Sequence, residues 1–146
     1  MQLNDCPKKV RKNISIAIFN ARLSVMKDMI GSVIEVSGKP ISVGYNDYYG
    51  SRNGYSLHAE KSVIMQFKKL NVKHKNRKIN IYTVKIDKEG NLKNAYPCYK
   101  CIEVMKQYSI KKVIYSNNDG CIEVSRFRDL IDNKPYYTFI QRMGYI

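Results

Sequence analysis

His58, Glu60, Cys98 and Cys101 are the residues whose types and spacing could do chemistry. The chain contains only two histidines, and one stands two residues before a glutamate in Leu57-His58-Ala59-Glu60-Lys61. After 36 intervening residues comes Pro97-Cys98-Tyr99-Lys100-Cys101. His-x-Glu alone is a coincidence-grade pattern, and Cys-x-x-Cys alone reads as either metal-binding or redox chemistry. Together, one imidazole and two thiolates form a good zinc set, and three protein ligands leave the fourth tetrahedral position open for water. An open site is the catalytic kind. Bound zinc lowers the pKa of its water to roughly 7, giving a nucleophile at neutral pH. Glu60 need not point at the metal; it can sit beside that water and carry its proton. The expected cofactor is therefore one Zn2+ per chain.

Both halves of this pattern fall where a helix should begin. Val63, Ile64, Phe67 and Leu70 give His58–Leu70 helical periodicity. Cys98–Tyr108 can be a second helix, with Pro97 closing the loop before it. Thiolates at a helix start face the positive end of its dipole, which lowers their pKa and favours metal binding.

The remaining elements frame these two helices. Val10, Ile14, Ile18, Ala21, Leu23 and Val25 predict a first helix over Lys8–Met29, with Gly31 as its stop. Ser32–Ser37 and Ile41–Tyr45 read as a hairpin turning at Gly38. Asn46–Leu57, rich in Asn, Gly and Ser, is a loop. Ile79–Ile86 alternates as a strand, Lys112–Ser116 is a short buried strand, and Cys121–Ser125 is a fifth. Arg126–Ile131 is a short helix, and Asp87–Tyr96 is an interposed turn or strand extension. Helices and strands alternating in this order imply an α/β sandwich.

The constellation with its element order resembles the zinc-dependent cytidine/deoxycytidylate deaminase superfamily, whose signature is H-x-E followed by P-C-x-x-C. The resemblance spans Lys8–Ser125. It implies a three-layer α/β/α sandwich with a central mixed five-stranded sheet. It also implies zinc on His58, Cys98 and Cys101, with Glu60 shuttling protons from water to the ring nitrogen and the leaving ammonia. The backbone N–H groups of Ala59 and Cys98 would face the base and the water. Gly44-Tyr45-Asn46 resembles the family's substrate-contacting segment, which makes Tyr45 and Asn46 candidates for the sugar or base. Arg52, in the loop with Tyr48, Tyr49 and Tyr55, is a candidate for a phosphate, and the tyrosines either stack on a base or pack against the domain. Relatives commonly self-associate, so a homo-oligomer is expected.

Composition sets the outer bounds. The 146 residues suit one domain over 1–146, and apolar residues make up 44%. No apolar run approaches the roughly 18 residues of a membrane span, and the start lacks a signal-peptide core, so an intracellular protein without a membrane role is expected. Lys and Arg number 26 against 12 Asp and Glu, for a net charge of +14. That favours phosphate-bearing partners; the competing reading is compositional, because 19 of the 26 are Lys, alongside much Asn and Ile. A chain little larger than the catalytic domain points first to a free nucleoside or nucleotide such as dCMP or CMP. A deaminase acting on RNA or single-stranded DNA, or a catalytically silent zinc-supported binding module, remain alternatives. Arg126, Arg128, Tyr136, Tyr137, Phe139, Arg142 and Tyr145 form a basic aromatic tail that either meets a nucleic acid or closes over the sheet. Cys6 reads as an incidental thiol in a mobile terminus, Cys121 as a small core residue and His74 as a solvated loop residue. Met26, Met29, Met65 and Met105 read as core packing.

Overall fold

A computed structural model describes residues 1–48, 56–70 and 78–131. After a 3-10 turn at Leu3–Asp5, the elements are α1 (Lys8–Arg22), β1 (Met29–Val36), β2 (Lys39–Tyr45), β3 (Asp47–Tyr48) and β4 (Ser56–Leu57). There follow α2 (Ala59–Lys69), β5 (Ile79–Ile86), β6 (Leu92–Lys93), α3 (Tyr99–Met105), β7 (Ile110–Ser116), β8 (Ile122–Arg126) and α4 (Phe127–Ile131). The sheet runs β2-β1-β5-β7-β8, mixed because β5 and β7 are parallel while the other pairs are antiparallel. A sixth, two-residue strand is added: after the turn at Asp87–Asn91, β6 folds back antiparallel onto the end of β5. The interposed segment is thus both a turn and a strand extension. Asp47–Tyr48 pairs with Ser56–Leu57, so the ends of the long loop close on each other.

Strand alternation sorts the core into two layers. Ile34, Val36, Ile79, Ile81, Val113 and Tyr115 pack with α2, α3 and α4 on one face. Val33, Tyr82, Val84, Ile86, Ile114 and Ile122 pack with α1 on the other. The architecture is the three-layer α/β/α sandwich. Among the described residues, no helix is long and apolar enough to cross a membrane.

The first helix is shorter than its periodicity suggests. α1 ends at Arg22, and β1 begins at Met29, three residues ahead of the expected strand start. Leu23 and Val25 continue the apolar pattern without being buried, at 48% and 74% exposure. Gly31 is no stop signal but a strand residue beneath the helix. A Cβ there would lie 2.0 Å from the Ala17 carbonyl oxygen and 2.6 Å from the Ala21 nitrogen. Both are backbone atoms and cannot swing aside, so Gly31→Ala should force α1 off the sheet. We expect about 3 kcal/mol of destabilisation, the upper range for overpacking, read as a lower midpoint in urea.

Other expectations are corrected in the same way. Cys6 is 4% exposed and packs with the α1-side core rather than lying in a loose terminus. Cys121 is only half-buried in the turn before β8. Met65 is 40% exposed on α2, whereas Met105 is fully buried. Met26 lies outside any helix and Met29 in a strand, both half-buried. Behind the sheet, Glu35 is 1% exposed and accepts hydrogen bonds from Asn13, Asn80 and Tyr82 while pairing with Lys9 at 3.2 Å. That carboxylate is fully engaged and faces α1, away from the chemistry.

Candidate active site

Two helix starts meet at one end of the sheet. His58 is the N-cap of α2 and Cys98 the N-cap of α3, both in extended backbone conformation. The His58 side chain makes no capping hydrogen bond to its own helix, although the N-cap position ordinarily favours one. The polar atoms of His58 and Cys98 turn toward each other. His58 Nδ1 lies 3.4 Å from Cys98 Sγ and 3.2 Å from Cys101 Sγ, and the two sulfurs are 3.5 Å apart. A tetrahedral zinc with bonds of about 2.0 Å to N and 2.3 Å to S has donor–donor edges of about 3.6 and 3.8 Å. The observed triangle is within a few tenths of an ångström of that, so the residues present fit the metal. Among the described residues this is the only group of three or more His, Cys, Asp or Glu placed to hold one.

Electrostatics agree with the donor set. A hydrogen bond from Cys101, opposed by burial and helped by His58, holds the Cys98 thiol down to about 4. The same contact and burial push the Cys101 thiol well up. The hydrogen bond to Cys98 raises His58, against the effect of burial. Zinc takes sulfur as thiolate, so metal binding at this cluster releases the thiol protons it holds.

Glu60 sits one position beyond the start of α2, 5% exposed and absent from the donor triangle. Burial raises its pKa, with the charges of His58 and Cys98 acting in opposite directions. The Thr83 hydroxyl, fully buried on β5, donates to Glu60 Oε1 at 3.4 Å. The sequence reading missed Thr83; its only signal is a small hydroxyl inside the apolar run Ile81-Tyr82-Thr83-Val84. Thr83→Val keeps the shape and removes the donor. We expect kcat to fall roughly tenfold, the cost of one hydrogen bond of about 1.4 kcal/mol, with zinc content unchanged.

Gly44, expected only as part of the segment resembling a substrate contact, also shapes the site through its backbone. A Cβ on Gly44 would lie 2.9 Å from the Val63 nitrogen and 3.2 Å from Ser62 Cβ, so only glycine lets β2 lie this close to the first turns of α2. Ser42 Oγ completes the seam by donating to the Val63 carbonyl at 2.8 Å. Ala59 is fully buried as the first residue of α2. Tyr45 ends β2, half-buried. Asn46 is 5% exposed, and its amide is engaged within the fold. Its Oδ1 accepts from the Ile30 N–H at 2.9 Å, and its Nδ2 donates to the Asp28 carbonyl at 2.5 Å. Ser24 Oγ donates to the Asn46 carbonyl as well. Asn46 therefore pins the α1–β1 connection beside the end of β2. Arg52, Tyr49, Tyr55, His74 and the tail from 132 onward lie outside the described residues, as does the side chain of Tyr48. Arg126 pairs with Asp129 at 3.3 Å.

A mixed sheet between helix layers, with a His-Cys-Cys cluster and a buried glutamate at two helix starts, defines a metal-dependent hydrolase of the deaminase class. The family model described as "Cytidine and deoxycytidylate deaminase zinc-binding region" matches residues 8–117, and the chain belongs to that family. It is a zinc-dependent hydrolytic deaminase for cytosine-type substrates. Its fold is similar to that of cytidine deaminase from Burkholderia pseudomallei, with a TM-score of 0.65 and 18% identity over 82% of this chain and 93% of that one. It is also similar to dCMP deaminase from the cyanophage S-TIM5 in apo form, with a TM-score of 0.61 and 20% identity over 79% and 88% of the two chains. The same cyanophage enzyme, solved in complex with dCMP and dUMP, aligns with a TM-score of 0.57 and 18% identity over 75% and 82%. No curated protein matches the chain in sequence.

Proposed function

We propose that the chain removes the exocyclic amine of a cytosine-containing nucleoside or nucleotide, with dCMP and CMP the first candidates. In the net reaction water replaces the amine at C4, giving the uracil product and ammonia. The observation that carries this reading is the meeting of His58 Nδ1, Cys98 Sγ and Cys101 Sγ, with the buried Glu60 carboxyl beside them. His58, Cys98 and Cys101 hold the zinc. Zinc bound there supplies the Lewis acidity that makes water nucleophilic near neutral pH.

Glu60 performs the proton traffic. Its carboxylate takes a proton from the attacking water and delivers it to the ring nitrogen, then takes the remaining hydroxyl proton at C4 and hands it to the departing amine, so that the C4 carbonyl forms as the C4–N bond breaks. Burial lifts its pKa toward the working range of such a shuttle, and the Thr83 hydroxyl holds the carboxyl in place. The backbone N–H groups of Ala59 and Cys98, at the two helix starts, present donors to the polar edge of the base. Tyr45, at the end of β2, is the candidate for a contact to the sugar or base. Asn46 supports this segment by fixing the connection at Asp28–Ile30, and Arg52 is the candidate for a 5′-phosphate.

The net charge of +14 favours a phosphate-bearing substrate, and it is also what supports the second reading, a deaminase acting on RNA or single-stranded DNA. Ammonia release from cytidine, deoxycytidine, CMP, dCMP, cytosine, adenosine and a cytosine-containing oligonucleotide separates these readings. We expect turnover of the cytosine nucleosides or nucleotides. Ammonia from none of them would refute the proposed substrate class.

A further inference from the structure

The cations are unevenly placed, and the unevenness follows from the fold. α1 starts over the C-terminal end of β1, because Asn13 touches Glu35 while Ala17 and Ala21 lie against Gly31. The β1–β2 turn joins this end: the Cβ direction of Gly38 points at the Lys9 side chain, and the Ser37 N–H donates to the Lys78 carbonyl at 2.9 Å. Register adds Lys112, opposite Asn80, which itself donates to Glu35. Lys8, Arg11, Lys12, Lys39, Lys78 and Lys112 therefore gather at one end of the sheet, all exposed. The zinc cluster lies at the other end, beyond Thr83. Five residues of strand, roughly 17 Å, separate Lys78 from Thr83.

Among the described residues none of these six makes an ion pair. Glu35 is buried and engaged by Lys9, Asn13, Asn80 and Tyr82, and Asp5, exposed in the 3-10 turn before α1, is a single charge against them. The first turn of α1 carries no acidic residue. Lys8, Arg11 and Lys12 fall at i, i+3 and i+4 on one face of α1, and with Ser15, Leu3 and Asn4 they line a depression of about 350 Å³. The opposite end is balanced by comparison, since Lys85 pairs with Asp28 and Lys93 with Asp87.

We propose that this basic end is a docking surface for the phosphate backbone of a nucleic acid, remote from the zinc centre. Closely spaced, unpaired cations on a convex helix and an adjoining strand end complement a string of phosphates, and release of counterions drives such binding without sequence readout. The proposal does not rest on the catalytic reading, because it concerns binding of the phosphate backbone and not the reaction of a base.

The test uses the zinc-loaded chain and a fluorescent thirty-residue oligo-dT, which has no cytosine amine to deaminate. Anisotropy at rising salt gives the affinity and its salt slope. We expect Lys8→Glu/Arg11→Glu/Lys12→Glu to weaken binding at least about tenfold at low salt and to reduce the log–log salt slope by about 2, as loss of three phosphate contacts to a single strand requires. The control Arg22→Glu/Lys27→Glu/Lys88→Glu makes the same charge change at the opposite end and should keep most of the affinity. Circular dichroism checks the fold of both, and Lys8→Gln/Arg11→Gln/Lys12→Gln replaces the first variant if reversal prevents folding. No binding by the unaltered chain, or equal loss in the patch and control variants, overturns the proposal. Neither result touches the deaminase reading, which is scored by ammonia release.

Discussion

Replacing Glu60 by alanine should lower kcat/KM by about 10²- to 10⁴-fold, the range lost with a general acid–base group, while zinc stays near one per chain. The separation of the two readouts is the point. Glu60 is not among the three donors, so the metal has no reason to leave. Glu60→Gln should be as slow, because it keeps the shape and loses the transferable proton. It should also be more stable than the unaltered chain at neutral pH, because burial raises the Glu60 pKa in the fold. A carboxyl whose folded pKa lies above its unfolded value binds more protons folded than unfolded, so stability falls as pH rises through that window. The gain from Gln should accordingly be present at pH 7 and vanish near pH 4. Unchanged turnover in either variant would remove Glu60 from the mechanism.

Cys101→Ser should abolish stoichiometric zinc and turnover together. Serine is a poor zinc ligand where thiolate is wanted, and two remaining donors, His58 Nδ1 and Cys98 Sγ, cannot fill a tetrahedral site. The structural consequence should extend beyond the site, because His58 and Cys98 begin α2 and α3. Metal bound there ties the two helices to each other, and metal that binds only the folded chain adds its binding free energy to stability. Prolonged exposure to a strong chelator should therefore lower the melting temperature of the unaltered chain and leave Cys101→Ser unmoved. Equal melting of the two proteins with and without chelator would show that the cluster is not a metal centre.

The chemistry-bearing residues were legible because each half of the pattern is local. His58 with Glu60, and Pro97 with Cys98 and Cys101, sit at helix starts that periodicity and proline mark directly. The supporting residues were less legible, because their roles depend on distant backbone. Gly31 looked like a helix stop, and it is a glycine because the Ala17 carbonyl passes 2.0 Å from where its Cβ would be. Thr83 is an ordinary strand residue until α2 brings Glu60 against it. Asn46 lies in a segment that resembles the family's substrate-contacting one, and its amide is held by Ile30 and Asp28, 16 and 18 residues earlier in the chain. Leu23 and Val25 continued a periodic apolar pattern that the fold leaves in solvent, since periodicity records a tendency to be buried and not the presence of a partner.

By itself, then, the amino-acid order determined the donor types, their grouping in two short segments, the helix starts that carry them and the excess of positive charge. Tertiary structure alone decided that the two segments meet. The parallel pairing of β5 with β7 and the packing of α2 and α3 on one face bring His58 and Cys98, 40 residues apart, to within 3.4 Å. The same assembly sends Lys8, Lys39 and Lys78 to the far end of the sheet. Covalent spacing governs neighbours within a helical turn, whereas contacts across the sheet follow from strand register and from which face each side chain must bury.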